Sequence, residues 1–196
     1  MIAQPQMPLM TPQEYLEWEE KQSGKYGYIA GDVYAMTGGT IPHNDIALNL
    51  AAAFKNHLKG KGCKVQIADA KVGISTNGPF HYPDVMVSCH PQDQQAKKVI
   101  YHPCLIVEVL SPGTEAFDRG RKFQNYRQIA NLQEYVLVET DKVGIEFYRL
   151  NEKNKWELTS YSLQEEMDNQ TELLVEFTSI NFSCPISLIY EDVVFS

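Results

Sequence analysis

The sequence predicts an α/β fold in which helices flank a mixed central β-sheet, and three observations carry that expectation. Stretches with apolar residues at helical spacing are interleaved with short β-rich runs. The run Cys104-Leu105-Ile106-Val107-Glu108-Val109-Leu110 is almost continuously apolar, as a strand buried on both faces in mid-sheet is. No internal repeat and no Gly/Ser-rich or Pro-rich linker divides the 196 residues. One domain over residues 1–196 is therefore expected, with its core at about 25–150 and a C-terminal extension at 151–196.

Each element has a local reason. Thr11-Pro12-Gln13-Glu14 reads as a capped helix start, because Thr11 and Glu14 can close a capping box and Pro12 suits the first helical position. That added N-terminal helix is expected to run through Trp18 to about Gln22 and to stop before Ser23-Gly24. Tyr26, Tyr28, Val33 and Tyr34 around Ala30-Gly31 predict a β-hairpin. Ile46, Leu50, Ala53, Phe54 and Leu58 predict a helix starting near Pro42 and ended by Gly60.

Val65 with Ile67, Val72 with Ile74, and Asp84 to Ser88 read as short strands, with a turn at Asn77-Gly78. Ser111-Pro112-Gly113-Thr114 breaks the central strand, and a helix is expected from about Glu115 to Ile129. Glu134–Glu139, Gly144–Leu150 and Trp156–Tyr161 complete the strand pattern. The apolar C-terminal end, from Ile186 to Phe195, is expected to supply an extra sheet edge or a dimer contact.

Composition narrows the class. With 43% hydrophobic and 21% charged residues, a chain of this length can bury about 70% of its unfolded surface without metals or staples. Its 17 basic and 25 acidic side chains leave a net charge of −8, which disfavours loose electrostatic binding of nucleic acid. The charge is uneven: residues 1–150 hold 15 basic and 16 acidic groups, and residues 151–196 hold 2 and 9. A locally basic groove in the first part is therefore compatible with the acidic whole.

Cys63, Cys89, Cys104 and Cys184 form no C-x-x-C pair, so neither a zinc knuckle nor a redox motif is written here. No signal peptide or bilayer-length apolar run is visible, so a soluble cytoplasmic protein with no membrane partner is expected. Its cysteines would then be small apolar fillers.

Glu108 is the most informative single residue. An ionised carboxylate in a buried strand costs several kcal/mol unless it is paired or bound to a cation. A second carboxylate, Asp84 in Tyr82-Pro83-Asp84-Val85, opens the preceding apolar strand. If those strands are antiparallel neighbours, both acids come to the same end of the sheet. Two carboxylates with a backbone carbonyl would suffice for a hard divalent ion such as Mg²⁺.

Asp118-Arg119-Gly120-Arg121-Lys122 is the densest basic stretch, on the helix that follows Glu108. Read in isolation it is a solvated helix face with an Asp118–Lys122 pair. Read together with Asp84 and Glu108, it can deliver Lys122 to the metal site to orient the attacking water or stabilise a phosphorane-like transition state. Asp69 and Lys71, between two short strands, read as a solvated turn. No Ser-His-Asp arrangement, G-x-S-x-G, P-loop or G-x-G-x-x-G is present, and Gly38-Gly39-Thr40 is too short for a phosphate loop.

These residues resemble the PD-(D/E)XK nuclease superfamily. More closely, the chain is similar to the Uma-two family of bacterial restriction-endonuclease-like proteins. The resemblance runs from about Tyr26 to Leu150. It rests on Tyr28-Ile29-Ala30-Gly31-Asp32-Val33-Tyr34, His43-Asn44, Tyr82-Pro83-Asp84-Val85 and Leu105 to Pro112. Asp118, Lys122, Tyr126 and Glu134-Tyr135-Val136-Leu137-Val138 extend it.

The resemblance implies a restriction-endonuclease-like core that binds Mg²⁺ or Mn²⁺ through Asp84 and Glu108. It makes Asp84, Glu108 and Lys122 catalytic, Lys122 taking over from the strand position that Leu110 occupies here. His43 matches a family position and is expected to line the cleft, and Tyr126, one helical turn beyond Lys122, either contacts substrate or packs on the sheet; Arg119 and Arg121 are expected to contact substrate as part of a basic rim. The family pattern often has Glu in the first hairpin, where this chain has Gly27, Ala30 and Asp32.

The expected function is metal-dependent endonucleolytic cleavage of DNA, double-stranded and by a homodimer. The alternatives are a catalytically degenerate binding or scaffold protein and a hydrolase of a smaller phosphate ester. A nuclease needs a basic rim, for which Lys97, Lys98, Arg119, Arg121 and Arg127 are the available residues.

Overall fold

The capping box anticipated at Thr11 forms: Thr11 Oγ1 accepts from the Glu14 amide at 3.3 Å, and Glu14 Oε2 accepts from the Thr11 amide at 2.8 Å. It opens α1 (Pro12–Glu19) in a computed structural model that describes residues 9–36, 38–162 and 173–195. The helix stops short of Gln22, because the Lys21 and Gln22 amides turn back to the carbonyls of Trp18 and Glu19. β1 (Tyr26–Ile29) and β2 (Asp32–Ala35) form the hairpin, with Ala30 at φ 50° and Gly31 at φ 98° in its two-residue turn.

α2 (Ile41–His57) is capped by Thr40, which accepts from the His43 amide at 3.4 Å. There follow β3 (Lys64–Ile67), β4 (Lys71–Gly73), β5 (Phe80–His81), β6 (Val85–Ser88), β7 (Val99–Ile100) and β8 (Leu105–Val109). The helix expected from Glu115 to Ile129 ends at Tyr126 and is not regular. Glu115–Phe117 is α-helical, Asp118–Lys122 makes a π-helical turn, and Phe123–Tyr126 is α-helical again. This run is α3 (115–126). β9 (Glu134–Val138), β10 (Gly144–Leu150), β11 (Trp156–Ser162), β12 (Leu174–Phe177), β13 (Phe182–Pro185) and α4 (Ile186–Ile189) complete the chain.

The larger sheet has the order β11-β10-β9-β8-β6-β3, and β8 pairs parallel with β9 and antiparallel with β6. The central strand is therefore enclosed on both sides, as its apolar run required. A second sheet, β2-β1-β5-β4-β7, carries α1 through stacked rings: Tyr15 lies 4.9 Å from Tyr28 and 5.5 Å from Phe80.

Alternation divides the core between the two faces of the larger sheet. Val85, Val87, Leu105, Val107 and Val109 pack with Ile46, Leu50 and Phe54 of α2. Met86 and Ile106 point the other way, to Tyr126 of α3 and to Ile129, Leu132 and Tyr135.

Two expectations are corrected. The C-terminal end is not an added edge of the main sheet. Among the described residues β12 and β13 pair only with each other, and Val175, Phe177, Ile186 and Ile189 are buried in the α2 core. The acidic stretch at 165–172 lies outside the described residues. Nor are all four cysteines fillers. β3 and β6 place Lys64 opposite Ser88, so Cys63 and Cys89, one step outward, face each other and form a disulfide with Cα atoms 4.0 Å apart. Cys104 and Cys184 are free, and Cys184 is buried.

Phe177 shows how far the C-terminal hairpin belongs to this core, with rings of Phe54 at 4.8 Å and Phe147 at 5.1 Å. Phe177→Ala is expected to cost about 3–5 kcal/mol in urea unfolding, and a loss below about 1 kcal/mol would show that the hairpin is peripheral.

Candidate active site

The pairing of β6 with β8 sets Val85 opposite Val107. One residue further along each strand, Asp84 stands across from Glu108, and alternation turns both acids to the α3 side. The contact is tightened by Asp84 Oδ2, which accepts from the Val109 amide at 2.8 Å. The antiparallel neighbourhood required for a shared carboxylate end is therefore present.

The π-helical turn brings the cation. Lys122 Nζ lies 3.0 Å from Glu108 Oε2 and 2.8 Å from Asp118 Oδ1. Tyr126, one turn on, donates its hydroxyl to Glu108 Oε1 at 2.8 Å. Asp118 and Lys122 are 1% and 6% exposed, so this face of the helix is not solvated. Asp118 Oδ1 is buried without a hydrogen bond, its contact with Lys122 being ionic. Leu110, at the position where the related pattern has its lysine, is buried in the apolar cluster beneath α3 and has no cation to offer.

From the opposite side, the start of α2 points His43 Nε2 at Asp84 Oδ2, 3.3 Å away. Gly39 makes room for it: a Cβ there would stand 2.7 Å from His43 Nδ1. These groups meet in a cavity of about 640 Å³, whose wall also includes Lys25, Tyr82, Ser111 and Thr114.

Electrostatics follow from the crowding. Burial pushes the Glu108 carboxyl up to about 8; the Lys122 ammonium opposes this, and Asp84 and Asp118 add to it. Burial alone would lower the Lys122 pKa, but Glu108 and then Asp118 hold it above its ordinary value. Burial likewise works against His43, and the hydrogen bond and charge of Asp84 overcome it, leaving its pKa raised.

Among the described residues, no three His, Cys, Asp or Glu side chains group into a metal cage. The donor set nevertheless suits a hard divalent cation that keeps most of its waters. Asp84 and Glu108 provide two carboxylates, and three carboxylates against one ammonium leave two negative charges in excess when all are ionised.

Five of the seven site residues read from the sequence thus come together: Asp84, Glu108, Lys122, His43 and Tyr126. Arg119 does not join them. It is engaged by Glu115 at 2.7 Å, Glu139 at 2.8 Å and Glu146. Arg121 is exposed and lines an adjoining cavity. Of the expected basic rim, Lys98 pairs with Glu20, and neither Lys97 nor Arg127 lines the cleft. Lys25 does line it, paired with Asp69.

Lys71 is not in a solvated turn. It is 5% exposed, 2.8 Å from Glu19 Oε2 and over the rings of Tyr15 and Tyr82. Glu19 also accepts from the Tyr82 hydroxyl, tying α1 to the segment that precedes Asp84. A second buried polar group lies in the same segment, and its position shows that it reaches no phosphate in the cleft wall. His81 is fully buried between Tyr34, whose hydroxyl is 2.6 Å from Nδ1, and Asn125, 3.0 Å from Nε2. Burial, with Lys122 and Arg121 nearby, takes the His81 pKa down to about 3.

Gly27 has a steric reason. A Cβ on Gly27 would stand 2.0 Å from the Tyr34 ring, its partner across the hairpin. The ring occupies the space that a longer side chain at 27 would need.

Residues 12–186 match the model of the Uma2 family, described as "Putative restriction endonuclease". The match extends beyond Tyr26–Leu150 to include α1 and the C-terminal hairpin. The chain is 39% identical over 188 residues to "Uncharacterized protein slr1290" of Synechocystis sp., covering 96% of this chain and 95% of that one. It is 30% identical over 153 residues to "Uncharacterized protein sll1609" of the same organism, covering 77% and 86%. A solved structure from Anabaena variabilis, described as "a putative nuclease belonging to DUF820", matches with TM-score 0.74 and 14% identity over 94% of this chain and 99% of that one. The shared fold is restriction-endonuclease-like.

Two measurements check the site. Because the folded Glu108 pKa of about 8 lies above its ordinary 4.5, its contribution to stability is full below about pH 4.5 and is lost as pH rises towards 8. Urea midpoints of the metal-free protein should fall across that window, and Glu108→Gln should flatten the fall. Gly27→Ala should cost about 1–3 kcal/mol through overpacking, and adding Tyr34→Ala should recover part of it; an unchanged urea midpoint for the single variant would refute the steric account.

Proposed function

We propose that this chain, which belongs to the Uma2 family, is a metal-dependent endonuclease that hydrolyses phosphodiester bonds in DNA. The observation that carries the reading is the grouping of Asp84, Glu108 and Asp118 around a single ammonium at a cavity wall. Such a centre has an affinity for positive charge and a fixed cation with which to meet phosphate.

Asp84 and Glu108 would hold Mg²⁺ or Mn²⁺. When bound, that ion supplies acidification of water and a counter-charge for phosphate oxygens. Asp84 is set for this by the Val109 amide and His43, and Glu108 by Tyr126 and Lys122. Lys122, anchored by two carboxylates, presents a preorganised charge to the non-bridging oxygens as negative charge develops there. His43, at the cleft wall, can hold or pass a proton next to Asp84. Cutting both strands of a duplex takes two such centres, which a symmetric homodimer of this chain would supply.

A binding or scaffold protein on the same fold is the second reading. It is favoured by the engagement of Arg119 and Lys98 in ion pairs, which leaves the cleft rim short of free cations.

Calorimetric titration of Mn²⁺ should show binding by the parent that Asp84→Ala and Glu108→Ala both abolish. Cleavage of supercoiled plasmid should fall by orders of magnitude in those variants, and by about 10²–10³-fold in Lys122→Ala with Mn²⁺ binding retained. Equal cleavage by the parent and Asp84→Ala would refute the reading.

A further inference from the structure

We propose that a second cavity, which adjoins the cleft at Lys122, seats one unstacked nucleobase of the DNA strand whose phosphate lies in the cleft. The proposal rests on the phosphodiesterase reading of that cleft.

The second cavity measures about 430 Å³ and shares Met36, Thr114 and Lys122 with the first. Its chemistry is different. Tyr34, Ala35, Met36 and Phe117 make its wall aromatic and apolar, where the first is crowded with carboxylates. A base is separated from its own phosphate only by a sugar. Two adjoining cavities, one apolar and one charged, meeting at a lysine therefore suit the two ends of a single nucleotide.

The aromatic wall is held in place. The Tyr34 hydroxyl is fixed by His81 Nδ1 at 2.6 Å, and its ring lies against Gly27 where no other residue would admit it. Phe117 meets Tyr34 edge-on at 5.6 Å and His81 at 6.1 Å, with the Lys122 ammonium 5.9 Å from its ring centre. Rings so anchored stack on a base with little ordering cost.

The rim carries two charged groups. Arg121 is exposed and makes no salt bridge among the described residues, unlike Arg119 two positions earlier. Its planar guanidinium suits the next phosphate of the strand. Asp32, also in the wall, repels a second phosphate but accepts from an exocyclic amino group, which adenine, cytosine and guanine carry and thymine lacks. An unstacked base is required, because a base held in a duplex cannot enter a cavity.

The test compares a single-stranded deoxyadenosine hexamer with an abasic deoxyribose-phosphate hexamer, both end-labelled, by fluorescence anisotropy in EDTA. The parent should bind the adenine strand about 5- to 100-fold more tightly. Phe117→Leu keeps apolar volume in the wall and should remove most of that preference, with its thermal midpoint reporting on folding. Arg121→Ser should weaken both strands by a similar factor. Equal binding of the two strands by the parent, no binding of either, or a preference unchanged in folded Phe117→Leu would overturn the base seat. If the Phe117-dependent preference is present but Mg²⁺ produces no cleavage of the adenine strand or of plasmid, hydrolysis fails and the seat stands.

Discussion

Burying Glu108 on the central strand of the larger sheet is tolerable only because Lys122 reaches it from α3, and much of the local architecture follows from that contact. Breaking such a pair would leave a desolvated charge, so the strand and helix must keep a common register. The π-helical turn at Asp118–Lys122 serves this end. It gathers Asp118 and Lys122 on the inner side, while Tyr126 and Phe123 continue into the core through Tyr135 at 5.4 Å from each ring. The same few residues therefore carry both the packing of α3 and the charge of the cleft.

The acidic chain manages its few cations by position. Arg119 and Arg149 bind carboxylates between elements: Arg119 joins α3 to β10 through Glu146, and Arg149 reaches the buried Glu134. Lys71 closes the Glu19–Tyr82 cluster beneath α1. After these structural uses, Lys122 stands at the cleft and Arg121 beside it. A protein so organised meets a polyanion through a small number of placed charges and an aromatic wall, and a broad basic surface is not needed for that.

Much of this was legible beforehand for identifiable reasons. Thr11 and Glu14, Ala30-Gly31 and the apolar run around Glu108 are local signals, in which a short stretch of chain specifies its own conformation. Asp84 and Glu108 were legible because a carboxylate in an apolar strand is costly and so is informative. Arg119 is drawn away from the cleft because two of the three carboxylates that engage it, Glu139 and Glu146, are distant in sequence. Lys71 is buried for the same reason, its partner Glu19 lying on α1. Cys63 and Cys89 meet through a strand register that no cysteine spacing announces.

By itself, the sequence determined the α/β class, the order of the longer elements up to Tyr161, and the two carboxylates and one lysine of the candidate site, because hydrophobic periodicity and the cost of buried charge act locally along the chain. Tertiary structure alone decided which cations remain free, why Tyr34 can lie across Gly27, and that a second cavity opens beside Lys122. Those outcomes depend on which side chains from distant segments occupy the same space, and only the folded chain sets that.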